Sequence, residues 1–431
     1  MKNKFIKSTI ILMIGGLITK ILGMLIKIVT NRLIGTEGLG VYMLITPTFM
    51  LLIAIAQLGF PITISKLVAE DKNNNKNLVF STIPISLAIN IIIIGFLLIS
   101  SKYISNNLLH EPRTTNALKC IGFVLPFISI SSILRGYFFG KQKMIPHIIS
   151  NITEDIIRLI TIIIGIPIFL KNGIESAVSF IVLSNIVSEL TSIFVLFFFI
   201  PKKFKITKND IKPNKKNIKS ILDISLPTTG SRLIGNIGYF FEPIILTFFL
   251  LRSGYSNSYI VNQYGILNGY VMPILLLPSF FTLAISQALI PVVSKAYSDN
   301  DKRYTKRKIK QAIMFSMLIG VPATIIFLLI PEVPLKLIYN TTKGVDYIRF
   351  MAPICLLYYF QSPLSSSLQA MGKAKDSMKG TIIGISLKLI ALTIGCNLKI
   401  GLWGLVIATS LNIIVVTLYD YSRVKKHLKK T

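Results

Sequence analysis

The sequence predicts an all-α polytopic membrane protein. It would have about twelve transmembrane helices in two six-helix lobes, related by a pseudo-two-fold axis along the membrane normal. Three observations predict it. Only 15% of the residues are charged, against about 25% in a soluble domain, and 52% are hydrophobic. Apolar runs such as ISLAINIIIIGFLLIS, SFIVLSNIVSELTSIFVLFFFI and GLWGLVIATSLNIIVVTLY approach the roughly 20 residues that cross hydrocarbon. Basic residues gather in every second connection between such runs.

Taken in order, the spans are 8–30, 40–65, 79–100, 115–137, 147–170, 176–200, 220–250, 260–291, 311–331, 347–370, 378–396 and 401–420. Pro47, Pro126, Pro227 and Pro273 fall inside spans, where neighbouring helices can satisfy the backbone groups a proline frees. No separate cleavage pattern accompanies the first span, so it reads as retained rather than as a signal peptide.

The net charge of +30 would suit nucleic acid until the charges are placed. Thirty-two of the 47 Lys and Arg fall on one side. They are Lys2, Lys4 and Lys7; Lys66, Lys72 and Lys76; Arg135, Lys141 and Lys143; the stretch PKKFKITKNDIKPNKKNIK; Lys295 with DKRYTKRKIK; Lys373, Lys375 and Lys379; and the tail RVKKHLKK. The alternate loops hold eight: Arg32, Lys102, Arg113, Lys171, Arg252, Lys336, Lys343 and Lys399. That asymmetry places both termini in the cytoplasm, requires an even number of spans, and turns the basic loops toward anionic lipid heads rather than nucleic acid.

Catalytic and cofactor signatures are missing. There is no G-x-x-x-x-G-K-[ST] loop, no nucleophile elbow, and no metal-ligand spacing around His110, His147 and His427. Cys120, Cys355 and Cys396 are dispersed through apolar spans as small buried residues. A non-enzyme without cofactor or metal is expected, one that works by alternating access.

Lysine-rich residues 201–219 separate an N-lobe, 1–200, from a C-lobe, 220–431. The lobes match weakly but in order: ITKILG at Ile18 with GSRLIG at Gly230, PITISKLVAED at Pro61 with PVVSKAYSD at Pro291, GKQK at Gly140 with GKAK at Gly372, and GIESAV at Gly173 with GLWGLV at Gly401. Six spans per lobe give both lobes the same orientation, the parallel-repeat plan in which a substrate site lies near the midplane.

Charges inside the spans are the candidate site. A charged side chain at the bilayer centre costs roughly 2.5–3.5 kcal/mol, so each needs a reason. Gly16, Lys20, Gly23 and Lys27 recur at helical spacing on one face of the first span, with no acid between Gly15 and Gly35. Lys20 lies roughly 15–18 Å into its span by helical rise. It reads as a ligand for an anion or as half of a buried ion pair; Lys27 reads as a second ligand or as a side chain snorkelling to the interface. In the seventh span, Arg232, Asn236, Tyr239 and Glu242 share a face. Arg232 matches Lys20 in depth, and Glu242 is its candidate neutralising partner. Glu154 and Arg158 are spaced as an i,i+4 pair with the acid first, which reads as structural. Glu189, Arg349 and Lys388 are further intramembrane charges. A cavity lined by Lys20, Lys27 and Arg232 suits phosphate or pyrophosphate.

The stretches GTEGLGVYMLITP, GFPITISKLVAE, LRGYFFGKQKMIPHIISNITEDIIRLI, YGILNGYVMPILLLPSFFTLAISQALIPVVSKA and LQAMGKAKDSM resemble the sporulation branch of the polysaccharide transporters. Those transporters belong to the MOP flippase superfamily, with lipid II flippases and MATE exporters as relatives. The resemblance runs over almost the whole chain and is most specific at LRGYFFG and the P, S, E and IR that follow it. It implies a MATE-like V of two lobes around a central cavity. It implies transfer of an undecaprenyl-pyrophosphate-linked saccharide, with lipid II for spore cortex as cargo, from the inner to the outer leaflet of the plasma membrane. It also implies membrane lipids and a cell-wall synthase as partners. In related lipid II flippases, first-helix and cavity cations hold the pyrophosphate, and Lys20, Lys27 and Arg232 stand at the corresponding places, with Asn236 one turn beyond Arg232. Family members commonly carry a further C-terminal helix pair that shapes a groove for the lipid tail, for which this chain has no room. Two other readings stand beside the flippase: a cation-coupled multidrug exporter, drawing on Glu154, Asp155 or Glu242, and a non-transporting scaffold for spore-wall synthases.

Overall fold

The computed structural model describes residues 2–70, 75–141, 143–200 and 215–429, excluding the side chains at 2–14, 70, 75–76, 215–220, 224, 227–228, 231–232, 234, 287–288 and 291. Among the described residues every regular element is helical. Most of the predicted linker, 201–214, lies outside them. Among the described residues seven helices are long and apolar enough to cross a membrane, eight if one bent pair counts as a single span. The chain is a multi-pass membrane protein. Met144–Leu170, Lys215–Arg252 and Val345–Ala370, which cover three more predicted spans, do not meet that test; the first of them carries Glu154, Asp155 and Arg158. Contacts divide the chain into two compact units, Met1–Phe240 and Phe241–Thr431.

The first unit holds α1 (Lys2–Gln57), α2 (Phe60–Glu70), α3 (Asn75–Tyr103), α4 (Thr115–Gly140), α5 (Met144–Leu170), α6 (Ile174–Phe198) and the start of α7 (Lys215–Arg252). α1 is two helices in continuation, broken at Gly35, whose φ of 68° is open to glycine at little cost. A second break at Leu58 and Gly59, both at positive φ, ends the second predicted span before residue 65 and turns α2 onto α4. The contact is close. A Cβ on Gly136 would lie 2.9 Å from the Pro61 carbonyl oxygen, and one on Gly140 2.7 Å from that of Ser65. Around it Phe60, Ile64, Ile133, Leu134, Phe138 and Leu196 form the buried core. Elsewhere Asn90 of α3 donates to the Ser129 hydroxyl of α4, which donates to the Ala56 carbonyl of α1, at 3.1 Å each. In hydrocarbon such bonds tie helices because the polar groups have no water to turn to.

The second unit continues α7 and adds α8 (Asn257–Gly265), α9 (Met272–Leu275), α10 (Ser279–Ser298), α11 (Lys302–Leu329), α12 (Glu332–Tyr339), α13 (Val345–Ala370), α14 (Ala374–Asn397) and α15 (Trp403–Lys429). The predicted span 260–291 is bent by 54° between Leu275 and Ser279, where Pro278 removes a backbone donor. The buried Tyr359 hydroxyl donates to the Leu275 carbonyl at 2.6 Å and so satisfies an acceptor at that break. α14 and α15 meet glycine to glycine, with a Cβ on Gly395 only 2.7 Å from the Gly404 Cα. In both units large apolar side chains also face outward, among them Ile99, Phe198, Leu318 and Leu329, as lipid contact requires.

Candidate functional site

α1 presents two different faces. Gly15 is buried against Ile148 of α5, whereas Gly16 and Gly23 have open space where a Cβ would stand. Lys20 and Lys27 share the face of Gly16 and Gly23 and are exposed. The charges acting on Lys27 are those of Lys20 and Arg158, both repulsive. Arg158 comes from α5, is half-buried, and has a buried Nε without a hydrogen-bond partner among the described residues. Among those residues no carboxylate lies within ion-pair distance of Lys20, Lys27 or Arg158. Lys20 therefore is not half of a buried ion pair here, and Arg158 joins two lysines in a cationic group with no carboxylate at contact distance among the described residues, the acids that Arg158 attracts, Asp155 and Glu189, lying farther off.

This arrangement corrects the expected Glu154–Arg158 pair. Glu154 is bound to Arg135 of α4. The same guanidinium donates to the Ser192 hydroxyl of α6 at 2.8 Å and lies 3.7 Å from Glu189. Three helices thus converge on one arginine whose side chain is 19% exposed. An i,i+4 pair contributes only about 0.2–0.5 kcal/mol, whereas a carboxylate facing a buried guanidinium has far more to lose by turning away. Arg135 is accordingly a core residue of α4 and not the loop charge that the alternation of basic clusters suggested.

In the second unit, Glu242 of α7 accepts from the Lys388 ammonium of α14 at 2.6 Å, and the Tyr264 hydroxyl of α8 lies 3.3 Å from its other oxygen. The Lys388 and Glu242 side chains are 7% and 8% exposed. Glu242 therefore has Lys388 as a partner; its expected pairing with Arg232 lies outside the described residues. The side chain of Arg232 lies outside the described residues, so its expected place opposite Lys20 does too; Asn236 is half-buried on α7. Arg349, expected inside a span, pairs with Glu332 at 3.1 Å; Arg349 is exposed and Glu332 half-buried. In the sequence Lys388 and Glu189 read only as further intramembrane charges. The available signal was that each lies deep in an apolar run, where a partner is obligatory. Among the described residues no group of His, Cys, Asp and Glu could hold a metal ion.

Comparison with known proteins adds the following. The family model described as polysaccharide biosynthesis protein matches residues 5–297, and the MatE model matches 243–394. Stage V sporulation protein B of Bacillus subtilis (strain 168) is 35% identical over 99% of this chain and 85% of its own length. Lipid II flippase MurJ of the same organism is 21% identical over 99% of this chain and 84% of its own. Among solved structures, the inward-facing conformation of a multidrug resistance MATE family transporter of the MOP superfamily aligns with a TM-score of 0.78. It is 20% identical, over 96% of both chains, and shows the fold.

Proposed function

The chain belongs to the polysaccharide biosynthesis protein family, and from that premise we propose that it is a flippase for a polyprenyl-pyrophosphate-linked saccharide. One observation carries the reading: Lys20, Lys27 and Arg158 form a cationic group with no carboxylate within ion-pair distance among the described residues, on an open helix face. Fixed positive charge without an internal partner is costly in a membrane unless an anion visits it. A pyrophosphate supplies two adjacent anionic groups, which two ammonium groups and a forked guanidinium can bind together.

On this reading Lys20, Lys27 and Arg158 hold the pyrophosphate, with Arg232 and Asn236 completing the site in one conformation of the transport cycle. The chain works as an N-lobe, 1–200, a basic cytoplasmic linker, 201–219, and a C-lobe, 220–431, alternating access across the plasma membrane with both termini inside. The named activity of a full-length relative, lipid II flipping, supports lipid II as cargo. The sporulation name of another supports delivery to spore cortex and a cell-wall synthase as consumer of the product. An ion-coupled exporter would need a free buried acid. Of the three acids it could draw on, Glu154 and Glu242 each already hold a cation, and only Asp155, half-buried on α5, has no ion-pair partner among the described residues.

The test is transfer of fluorescent lipid II across proteoliposomes containing the purified chain, beside an analogue with a monophosphate linkage. Transfer of lipid II, with the monophosphate compound moving roughly tenfold or more slowly, is the expected result, since each charge-assisted contact contributes about 1.5–3 kcal/mol. Equal rates for the two would remove the pyrophosphate from the account. No transfer of either would leave the scaffold reading.

A further inference from the structure

At one end of the second unit, the first turns of α11 and the last turns of α15 both lie against α13 and enclose a groove of about 330 Å³. Its walls are apolar: Ile309 and Ile313 from α11, Leu364 from α13, Val424 and Leu428 from α15. Its rim is basic. Lys306 and Lys310 stand on α11 and Lys425 on α15, all exposed, with the exposed ring of Tyr421 beside them. Among the described residues no carboxylate lies within ion-pair distance of the three lysines.

This is not the pattern of a basic loop merely facing a membrane. Lys306 and Lys310 follow each other by four residues with Ile309 and Ile313 alongside, and Tyr421, Val424, Lys425 and Leu428 recur at helical spacing on α15. Two helices therefore turn matching stripes, apolar below and cationic above, toward the same space. Three like charges around it repel one another and need an external anion. A soluble phosphate would leave the apolar walls unfilled. A lipid that is anionic at its head and apolar in its tail satisfies both, and the tyrosine has the amphipathic character of an interfacial residue.

We propose that this groove binds an anionic phospholipid of the bilayer, its phosphate on Lys306, Lys310 and Lys425 and the upper part of an acyl chain along Ile309, Leu364 and Val424. The volume is at the low end of small-molecule sites, which run from about 300 Å³, and fits a headgroup with the start of a chain rather than a glycan. The site lies within the second unit and does not depend on what the protein transports.

The experiment is cross-linking of the full chain in lipid nanodiscs with photoactivatable phosphatidylglycerol or photoactivatable phosphatidylcholine, mapped by peptide mass spectrometry. Peptides covering 306–313 and 421–428 should be labelled roughly tenfold or more above the choline lipid by the glycerol lipid, since all three basic residues attract an anionic head. The triple variant K306Q/K310Q/K425Q, altered only at exposed positions, should lose that excess. Ile313→Trp, which keeps every lysine but fills the groove, should lower labelling as well. Millimolar inorganic phosphate should leave it unchanged. Equal labelling by the two lipids, a triple variant labelled like wild type, or displacement by inorganic phosphate would each overturn the proposal. So would displacement by substoichiometric polyprenyl pyrophosphate, which would make the groove a cargo site.

Discussion

Glu242 and Lys388 lie 146 positions apart in the chain and 2.6 Å apart in the fold, each side chain less than a tenth exposed. In a medium without water each charge makes the other tolerable, and Tyr264 supplies a further contact to the carboxylate. The pair links α7 to α14 within the second unit. Removing one member strands the other. Glu242→Gln and Lys388→Met should each lower stability by about 3–5 kcal/mol, and the double variant E242Q/K388M should recover most of the loss. Thermal unfolding of the purified protein checks this; additive losses would show that the two charges act independently.

Arg135 and Arg158 should separate structure from transport. Arg135 is shared by Glu154, Glu189 and Ser192. Arg135→Gln should therefore lower the unfolding temperature, leaving two buried acids without their cation at a cost of about 3–5 kcal/mol. Arg158→Gln, at a half-buried residue with no ion-pair partner among the described residues, should change stability much less than Arg135→Gln does and fall on transport instead. Measuring both quantities for both variants tests the distinction, and a stability loss larger for Arg158→Gln would reverse the assignment.

The glycines divide in the same way. A Cβ on Gly140 meets the Ser65 carbonyl oxygen and the Val68 Cβ at 2.7 Å, so Gly140→Ala should force α2 from α4 at about 1–3 kcal/mol. Gly16, where nothing lies within 4 Å, should accept alanine without loss. Comparing yield and unfolding temperature of the two alanine variants is sufficient.

Topology is open to chemistry. Lys425 lies near the end of α15, and Lys343 just before α13. The positive-inside rule places the first in the cytoplasm and the second outside. In a background with Cys120, Cys355 and Cys396 replaced by alanine, Lys343→Cys should react with an impermeant maleimide added to intact cells, and Lys425→Cys only after the membrane is permeabilised. Labelling of both from the same side would refute the alternation.

Helices were legible in the sequence because the core and the lipid both demand apolar side chains, so the runs mark the elements whichever way they face. The choice of partner for each buried charge was not. It depends on helix rotation and on neighbours far along the chain, as Lys388 is for Glu242 and Arg135 is for Glu154. The i,i+4 rule pointed Glu154 to Arg158 because it sees one helix at a time, and that local preference is weaker than a buried interhelix contact. The break at Gly35 falls between the predicted spans 8–30 and 40–65, whereas the one at Leu58–Gly59, inside the second span, was hidden. Nothing in an apolar run says which of its glycines takes a positive φ. What the sequence did reveal of the candidate site was the open face of α1: helical spacing from Gly16 to Lys27, without any acid, anticipated a cationic surface before Arg158 was placed beside it.

The central claim is that Lys20, Lys27 and Arg158 act together on a pyrophosphate. Its most direct measurement is the rate of lipid II transfer in proteoliposomes for wild type, Lys20→Gln, Arg158→Gln and the double variant, each confirmed folded. The account predicts a loss of roughly tenfold or more in each single variant, with normal unfolding temperatures, and a double variant near background. Wild-type rates in both single variants would contradict it.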